Sequence, residues 1–161
     1  GVSNYNLERL RAHARFASPA EVNQVELHPY LQQRSLVEGA REHGVLTTAF
    51  SPLGSMDRPE IMKGDDEPLL MEDKVVRAIA RELGASPAQV LIAWAIQRGT
   101  AVIPKSVHPS RLAENLAAAN LSLTDEQMKR MAALERPFRY VTGTFWERAG
   151  GPYPASELWK E

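Results

Sequence analysis

Apolar side chains at the start of the chain recur at helical intervals. Leu7, Leu10, Ala14 and Ala17 fall on one side of a helix over 6–17, and Ser18-Pro19 punctuates it. The period then shortens to two. Val22-Asn23-Gln24-Val25-Glu26 alternates apolar and polar positions and reads as a short strand ending at Leu27-His28-Pro29. Helical spacing returns over 33–43 through Leu36, Val37 and Ala40, with Gly44 placed as a C-cap, and 45–50 forms the next strand.

Residues 51–69 have no period, with Gly, Pro and Asp scattered through them, as expected of a lid-like loop. Spacing predicts a helix over 75–83. Ser86-Pro87-Ala88-Gln89 is a capping box with Pro at the first helical position, opening a helix over 90–97 that Gly99 closes. Thr100-Ala101-Val102-Ile103 is a buried type of strand, followed by Pro104-Lys105-Ser106 and a helix over 109–119. Thr124-Asp125-Glu126-Gln127 is a second capping box, for a helix running to Leu134. Beyond it, 137–161 carries Phe138, Tyr140, Phe145, Trp146, Tyr153 and Trp159 among Gly and Pro without a period, either a packed tail or a binding flap.

Strand and helix thus alternate three times, which calls for parallel strands and right-handed crossovers, in a doubly wound sheet or a (β/α) barrel. With 161 residues and 43% apolar content, one α/β domain is expected. A net charge of -1 with interspersed signs leaves no broad field to attract nucleic acid or an anionic membrane, so a phosphate must be held locally. The absence of cysteine excludes disulfides, thiol nucleophiles and thiolate metal sites, and suits a reducing, cytoplasmic setting. There is no run of eighteen apolar residues and no signal-peptide order. No two histidines stand at metal-ligand spacing and no Gly-x-Ser-x-Gly elbow exists, so neither a metal site nor a hydrolase is expected. His13 and His43 fall on polar helix faces and His28 in a strand-end turn.

Ile103-Pro104-Lys105-Ser106-Val107-His108-Pro109-Ser110-Arg111-Leu112-Ala113-Glu114-Asn115 lies where a strand ends and a helix begins. Free N–H groups at a helix start favour an anion, serine hydroxyls add donors, and Lys105 and Arg111 add charge-assisted bonds. Taken alone, the segment reads equally as a capped helix with solvated charges. No glycine-rich G-x-G-x-x-G turn is present, so a dinucleotide would have to bind in another way.

Four blocks in this order resemble the aldo-keto reductase family: Gly1-Val2-Ser3-Asn4-Tyr5-Asn6, Asn23-Gln24-Val25-Glu26-Leu27-His28-Pro29-Tyr30, Phe50-Ser51-Pro52-Leu53-Gly54-Ser55, and Ile103-Pro104-Lys105-Ser106 through Arg111, Glu114 and Asn115. The resemblance runs to about Leu134. It implies a (β/α)8 TIM barrel, of which this chain is the C-terminal portion, with about three complete β/α units and an aromatic tail. It implies NADPH as cofactor and reduction of aldehydes or ketones to alcohols. By the same resemblance Ser3, Asn4 and Gln24 would hold the nicotinamide carboxamide and Phe50 would stack on the ring. Ser51, Leu53 and Ser55 would line the pyrophosphate under a clasping loop. Lys105, Ser106 and Arg111 would grip the 2′-phosphate, Glu114 and Asn115 would hydrogen-bond the adenine, and Val107 counts among the cofactor-binding residues. His108 stands where the family often has a small hydroxyl residue.

The family's catalytic tyrosine, lysine, aspartate and histidine belong to the first half of the barrel. The chain starts near the end of the fifth strand, so no catalytic residue is expected in it. It is expected to need the missing N-terminal half, in the same or a separate chain, or a second copy. Alone it would be an inactive NADP(H)-binding fragment or module. Phe145 and Trp146, in the place of the family's substrate loop, are the candidate substrate contacts.

Overall fold

Four short parallel strands lie side by side in chain order: β1 (Val2–Ser3), β2 (Val22–Glu26), β3 (Leu46–Phe50) and β4 (Ala101–Val102). They belong to a computed structural model that describes residues 1–16, 18–148, 151 and 159. The register places Ser3, Gln24, Thr48 and Ala101 in one row across the sheet. Val25, Ala49 and Val102 form the next row and point to the other face, where they join the main core. Because side chains alternate, one face of the sheet is covered by helices and the other carries the polar row.

The helices are α1 (Leu7–Phe16), α2 (Arg34–Glu42), α3 (Lys74–Leu83), α4 (Pro87–Gln97), α5 (Pro109–Ala117) and α6 (Asp125–Ala132). α4 is the centre of the packing: Val90, Leu91, Ile92, Ala93, Trp94 and Ala95 are all buried, so it reads as apolar all round. Both expected capping boxes form, Ser86 with Gln89 at α4 and Thr124 with Gln127 at α6. Asp73 caps α3 by accepting from the N–H groups of Val75 and Val76.

Several boundaries differ from the periodicity. α1 ends at Phe16, and Ala17 lies outside the described residues. α2 begins after Gln33, which takes a left-handed backbone (φ 45°) and donates its side-chain amide to the Glu26 carbonyl. Val45 stays with the end of α2, donating its N–H to Ala40 O, so β3 begins at Leu46. Thr100 bonds Ala95 O through both its N–H and its hydroxyl, which leaves only two residues for β4. α5 tightens into a 3₁₀ turn at Ala118–Asn120. α6 stops at Ala132, short of Leu134, where the chain tightens to a Leu134 N–H bond to Met131 O, and Gln32 Nε2 and Arg34 Nη2 cap the Met131 and Ala132 carbonyls.

Between β3 and α3 the loop folds through 3₁₀ turns at Glu60–Met62 and Leu70–Glu72. An Arg58–Glu67 ion pair closes it from within, and Leu70 anchors it in the core. The aromatic tail divides in two. Tyr140 is buried and Phe138 packs beside it, whereas Phe145 and Trp146, on a 3₁₀ turn at Thr144–Trp146, are exposed. Trp159 donates its indole N–H to Thr142 O and lies under the Arg139 guanidinium at 3.8 Å; Tyr153 lies outside the described residues.

Candidate functional site

A cleft of about 650 Å³ opens at the C-terminal ends of β3 and β4. Ser51, Leu53 and Ser55 form one wall. Lys105, Ser106, Val107 and Arg111 form the other, with Glu114 and Asn115 one helical turn further along α5. Nine of the residues singled out from the sequence therefore meet in one cavity. His108 lines it too.

The first wall is shaped by its backbone. Ser51 and Ser55 both adopt left-handed conformations (φ 52° and 48°) on either side of Gly54 (φ 88°). A Cβ on Gly54 would come within 3.2 Å of Tyr140 Cζ and of Leu70 Cβ, so a side chain there would be crowded as well as strained by the positive φ. Non-glycine residues held at positive φ concentrate where the surrounding structure over-determines them, often at binding sites. Ser55 donates its hydroxyl to Ser51 Oγ at 2.5 Å.

The second wall supplies donors. His108, the N-cap residue of α5, makes no side-chain cap bond, and Pro109 occupies the first turn. The first-turn N–H groups of Ser110 and Arg111 have no acceptor within the helix, as an anion site requires, and Arg111 lines the cleft. Ser106 Oγ accepts from the His108 N–H at 3.2 Å, which leaves the serine proton free to donate. Lys105 Nζ meets Asp57 Oδ2 at 2.5 Å, joining the two walls across the mouth. That hydrogen bond holds the Asp57 carboxyl below the usual carboxylate range. Both side chains are mostly in solvent, so the pair adds little stability and leaves the ammonium exchangeable toward another anion. Glu114 is fixed by the Ser86 hydroxyl, which donates to Glu114 Oε1 while Ser86 Oγ accepts from Gln89 N–H.

Ser3, Asn4, Gln24 and Phe50 do not line the cleft. They stand along the ends of β1, β2 and β3, and Phe50 leads directly into Ser51, so both groups share one end of the sheet. Ser3 Oγ and Asn4 N–H both donate to Gln24 O at 2.9 Å, and Asn4 takes a left-handed backbone (φ 57°). Asn4 Oδ1 is buried without a partner among the described residues, an acceptor held ready for a donor. Phe145 and Trp146 pack their rings 4.9 Å apart, away from the cleft.

Sequence reasoning missed several neighbours. Asp57 carried no local signal, since its partner is distant in the chain. Ser86 was legible only as a cap, yet it walls the cleft and holds Glu114. Asn23, inside the second block, clamps the β1–α1 turn by accepting from Tyr5 N–H and donating to Tyr5 O. His13 stacks edge-on against Tyr5, His43 bonds Gly39 O, and His28 bonds Glu26. Among the described residues no group of three or more His, Asp or Glu could hold a metal, and no helix is long and apolar enough to cross a membrane.

The family model for the aldo/keto reductases matches residues 1–136. An aldo/keto reductase of Synechocystis sp. is 53% identical over 162 residues, covering all of this chain and 50% of the relative. Aldo-keto reductase family 1 member A1 of Homo sapiens is 43% identical over 143 residues, 88% of this chain and 43% of the relative. Member A1-A of Danio rerio is 42% identical over 145 residues, 89% of this chain and 44% of the relative. The chain spans about half the length, or somewhat less, of the curated relatives it matches, and its four strands form an arc of the family's (β/α)8 barrel. A parallel sheet with helices on one face, four ordered motif blocks meeting at one sheet end, and a match over most of the chain lead to one conclusion: the chain belongs to the aldo/keto reductase family.

Proposed function

We propose that this chain supplies the NADP(H)-holding part of a reductase that converts aldehydes or ketones to alcohols, in the cytoplasm. The observation that carries the reading is the meeting of Lys105, Ser106, Arg111 and the open N-terminus of α5 in one cleft with the strained Ser51–Ser55 loop.

These residues suit the parts of a 2′-phosphorylated dinucleotide. The uncapped start of α5, the Ser106 hydroxyl and the Lys105 ammonium form a phosphate-sized set of donors, which favours NADPH over NADH. Arg111 offers a flat guanidinium for stacking on adenine, with Glu114 and Asn115 beside it as hydrogen-bonding groups. Val107 gives the phosphate end an apolar border. The loop of Ser51, Leu53 and Ser55 presents backbone and hydroxyl groups to the pyrophosphate. At the strand ends, the unpartnered Asn4 Oδ1 suits the carboxamide NH₂, with Ser3 and the Gln24 amide alongside.

When bound, NADPH supplies the hydride. This chain's residues orient it: Ser3, Asn4 and Gln24 fix which ring face points outward, and Phe50 excludes water from one side. The chain contributes no proton donor to the carbonyl oxygen. That group and its tuning partners come from the first half of the barrel, in the same polypeptide or an associated chain, and Phe145 and Trp146 contact the substrate.

Fluorescence titration of the whole barrel with NADPH and NADH, followed by a carbonyl-reduction assay, tests the reading. NADPH binding well ahead of NADH, with NADPH-dependent aldehyde reduction, is the expected result. Tight NADPH binding without turnover leaves a non-catalytic NADP(H)-binding module, and absence of NADPH binding overturns the proposal.

A further inference from the structure

Glu26 ends β2 with its side chain completely buried. Taking a carboxylate out of water is costly unless every lone pair finds a donor. Here Oε1 accepts from the Tyr140 N–H at 2.6 Å and from His28 Nε2 at 2.9 Å. Oε2 accepts from the Val141 N–H at 3.0 Å and has the Arg139 guanidinium 3.8 Å away. Two of these donors are main-chain groups more than a hundred residues further along, in a segment that belongs to no helix or strand. With no ladder or helix to hold it there, the main chain of that segment finds its buried acceptor in the carboxylate, while the Tyr140 and Phe138 rings anchor it in the core.

The same segment also touches the cofactor loop. The Tyr140 ring packs against His28 with centroids 4.9 Å apart, and its hydroxyl donates to Pro68 O at 2.6 Å. The Arg58 guanidinium lies over the ring at 5.5 Å, and the ring occupies the space that a side chain on Gly54 would need. Immediately beyond come the exposed Phe145 and Trp146. Glu26 in turn sits opposite Phe50 in the β2–β3 register, at the end of the sheet where the cofactor loop begins.

We propose that Glu26 is a positioning residue for the tail: by holding 139–141 against the end of β2 it sets where Phe145 and Trp146 stand, and so sets substrate affinity. This rests on the reading of the tail as the substrate-contacting segment of a carbonyl reductase. Glu26 takes no part in hydride or proton transfer. Its effect reaches substrate only through the tail backbone.

The test uses the whole reductase and two variants that break the latch from opposite sides. Glu26→Gln keeps the shape but replaces one acceptor oxygen by a donor, and Val141→Pro removes a tail N–H without touching β2. With 4-nitrobenzaldehyde as substrate, each is expected to raise KM about tenfold, the scale of one lost charge-assisted hydrogen bond. kcat and the NADPH Kd stay within about threefold, and amide exchange at Tyr140 in both variants, and at Val141 in Glu26→Gln, speeds by about tenfold. The double variant is expected to add little to either single one, because both break the same contact. Unchanged KM in both variants, or loss of NADPH affinity with KM intact, overturns the proposal. If the wild-type reductase turns over no aldehyde or ketone, the carbonyl-reductase reading falls by itself. The latch is then judged by exchange, with equal rates in wild type and variants overturning it and faster exchange in the variants supporting it. Should Glu26→Gln fail to fold, Val141→Pro decides.

Discussion

Glu26 and Lys105 are both charged, both sit at the same end of the sheet, and both meet a partner brought from far along the chain. Their surroundings are opposite. Glu26 has no exposed surface and gives its oxygens to Tyr140, Val141 and His28. Lys105 keeps 66% of its side chain in solvent and pairs with the exposed Asp57. A buried charge is committed to its partners, because releasing them leaves groups that water cannot reach. An exposed charge pair is nearly balanced against hydration, so its partner can be exchanged for a ligand. The Glu26 carboxylate is therefore committed to the fold, whereas the Lys105–Asp57 pair can exchange its partners.

The sharpest way to break this contrast is Glu26→Ala. Leaving two main-chain N–H groups and His28 Nε2 without an acceptor is expected to lower the unfolding free energy by about 3–5 kcal/mol. Lys105→Ala should change it by less than about 0.5 kcal/mol. Urea denaturation compares them directly, and equal losses would abolish the distinction.

Lys105→Glu turns attraction for a phosphate into repulsion. NADPH affinity is expected to fall on the order of 100-fold, with NADH nearly unchanged, read by fluorescence titration. A parallel loss for both cofactors would mean that Lys105 acts on the shape of the cleft and leaves the 2′-phosphate alone.

Tyr140→Phe probes the link between the two sites. Burial pushes the Tyr140 phenol up, so it stays protonated and donates to Pro68 O across the physiological range. Its removal is expected to cost about 1 kcal/mol in urea denaturation, between the two extremes above.

The smallest effect is expected at Asp57→Asn, under about 0.5 kcal/mol at neutral pH and smaller still in high salt. The sign follows from the depressed carboxyl. Its contribution is present above the ordinary carboxylate pKa and disappears as pH falls through the lower folded-state value. The difference between wild type and Asp57→Asn should therefore vanish in urea melts at pH values well below the ordinary carboxylate range.

The cleft was more legible in the sequence than the latch, and particular residues show why. Lys105, Ser106, Arg111, Glu114 and Asn115 sit within one strand–loop–helix connection, so adjacency in the chain already groups them. Ser51, Leu53 and Ser55 share a short loop in the same way, although their facing the first group is long-range, as the pairing of Asp57 with Lys105, 48 residues away, shows. Glu26 read only as the polar end of an alternating strand, because its burial is created by the tail folding over it.

By itself the sequence determined whatever short-range physics controls: the alternation of β2, the amphipathic spacing of α3, and the two capping boxes whose donors and acceptors lie three residues apart. Tertiary structure alone decided the features whose partners are distant. Gln32 and Arg34 cap the last carbonyls of α6, Thr100 leaves the strand to bond the end of α4, and the tail brings two main-chain N–H groups to one buried carboxylate. Local patterns fix the backbone's options, but which polar group loses water, and which donor must then replace it, exists only once the chain has closed on itself.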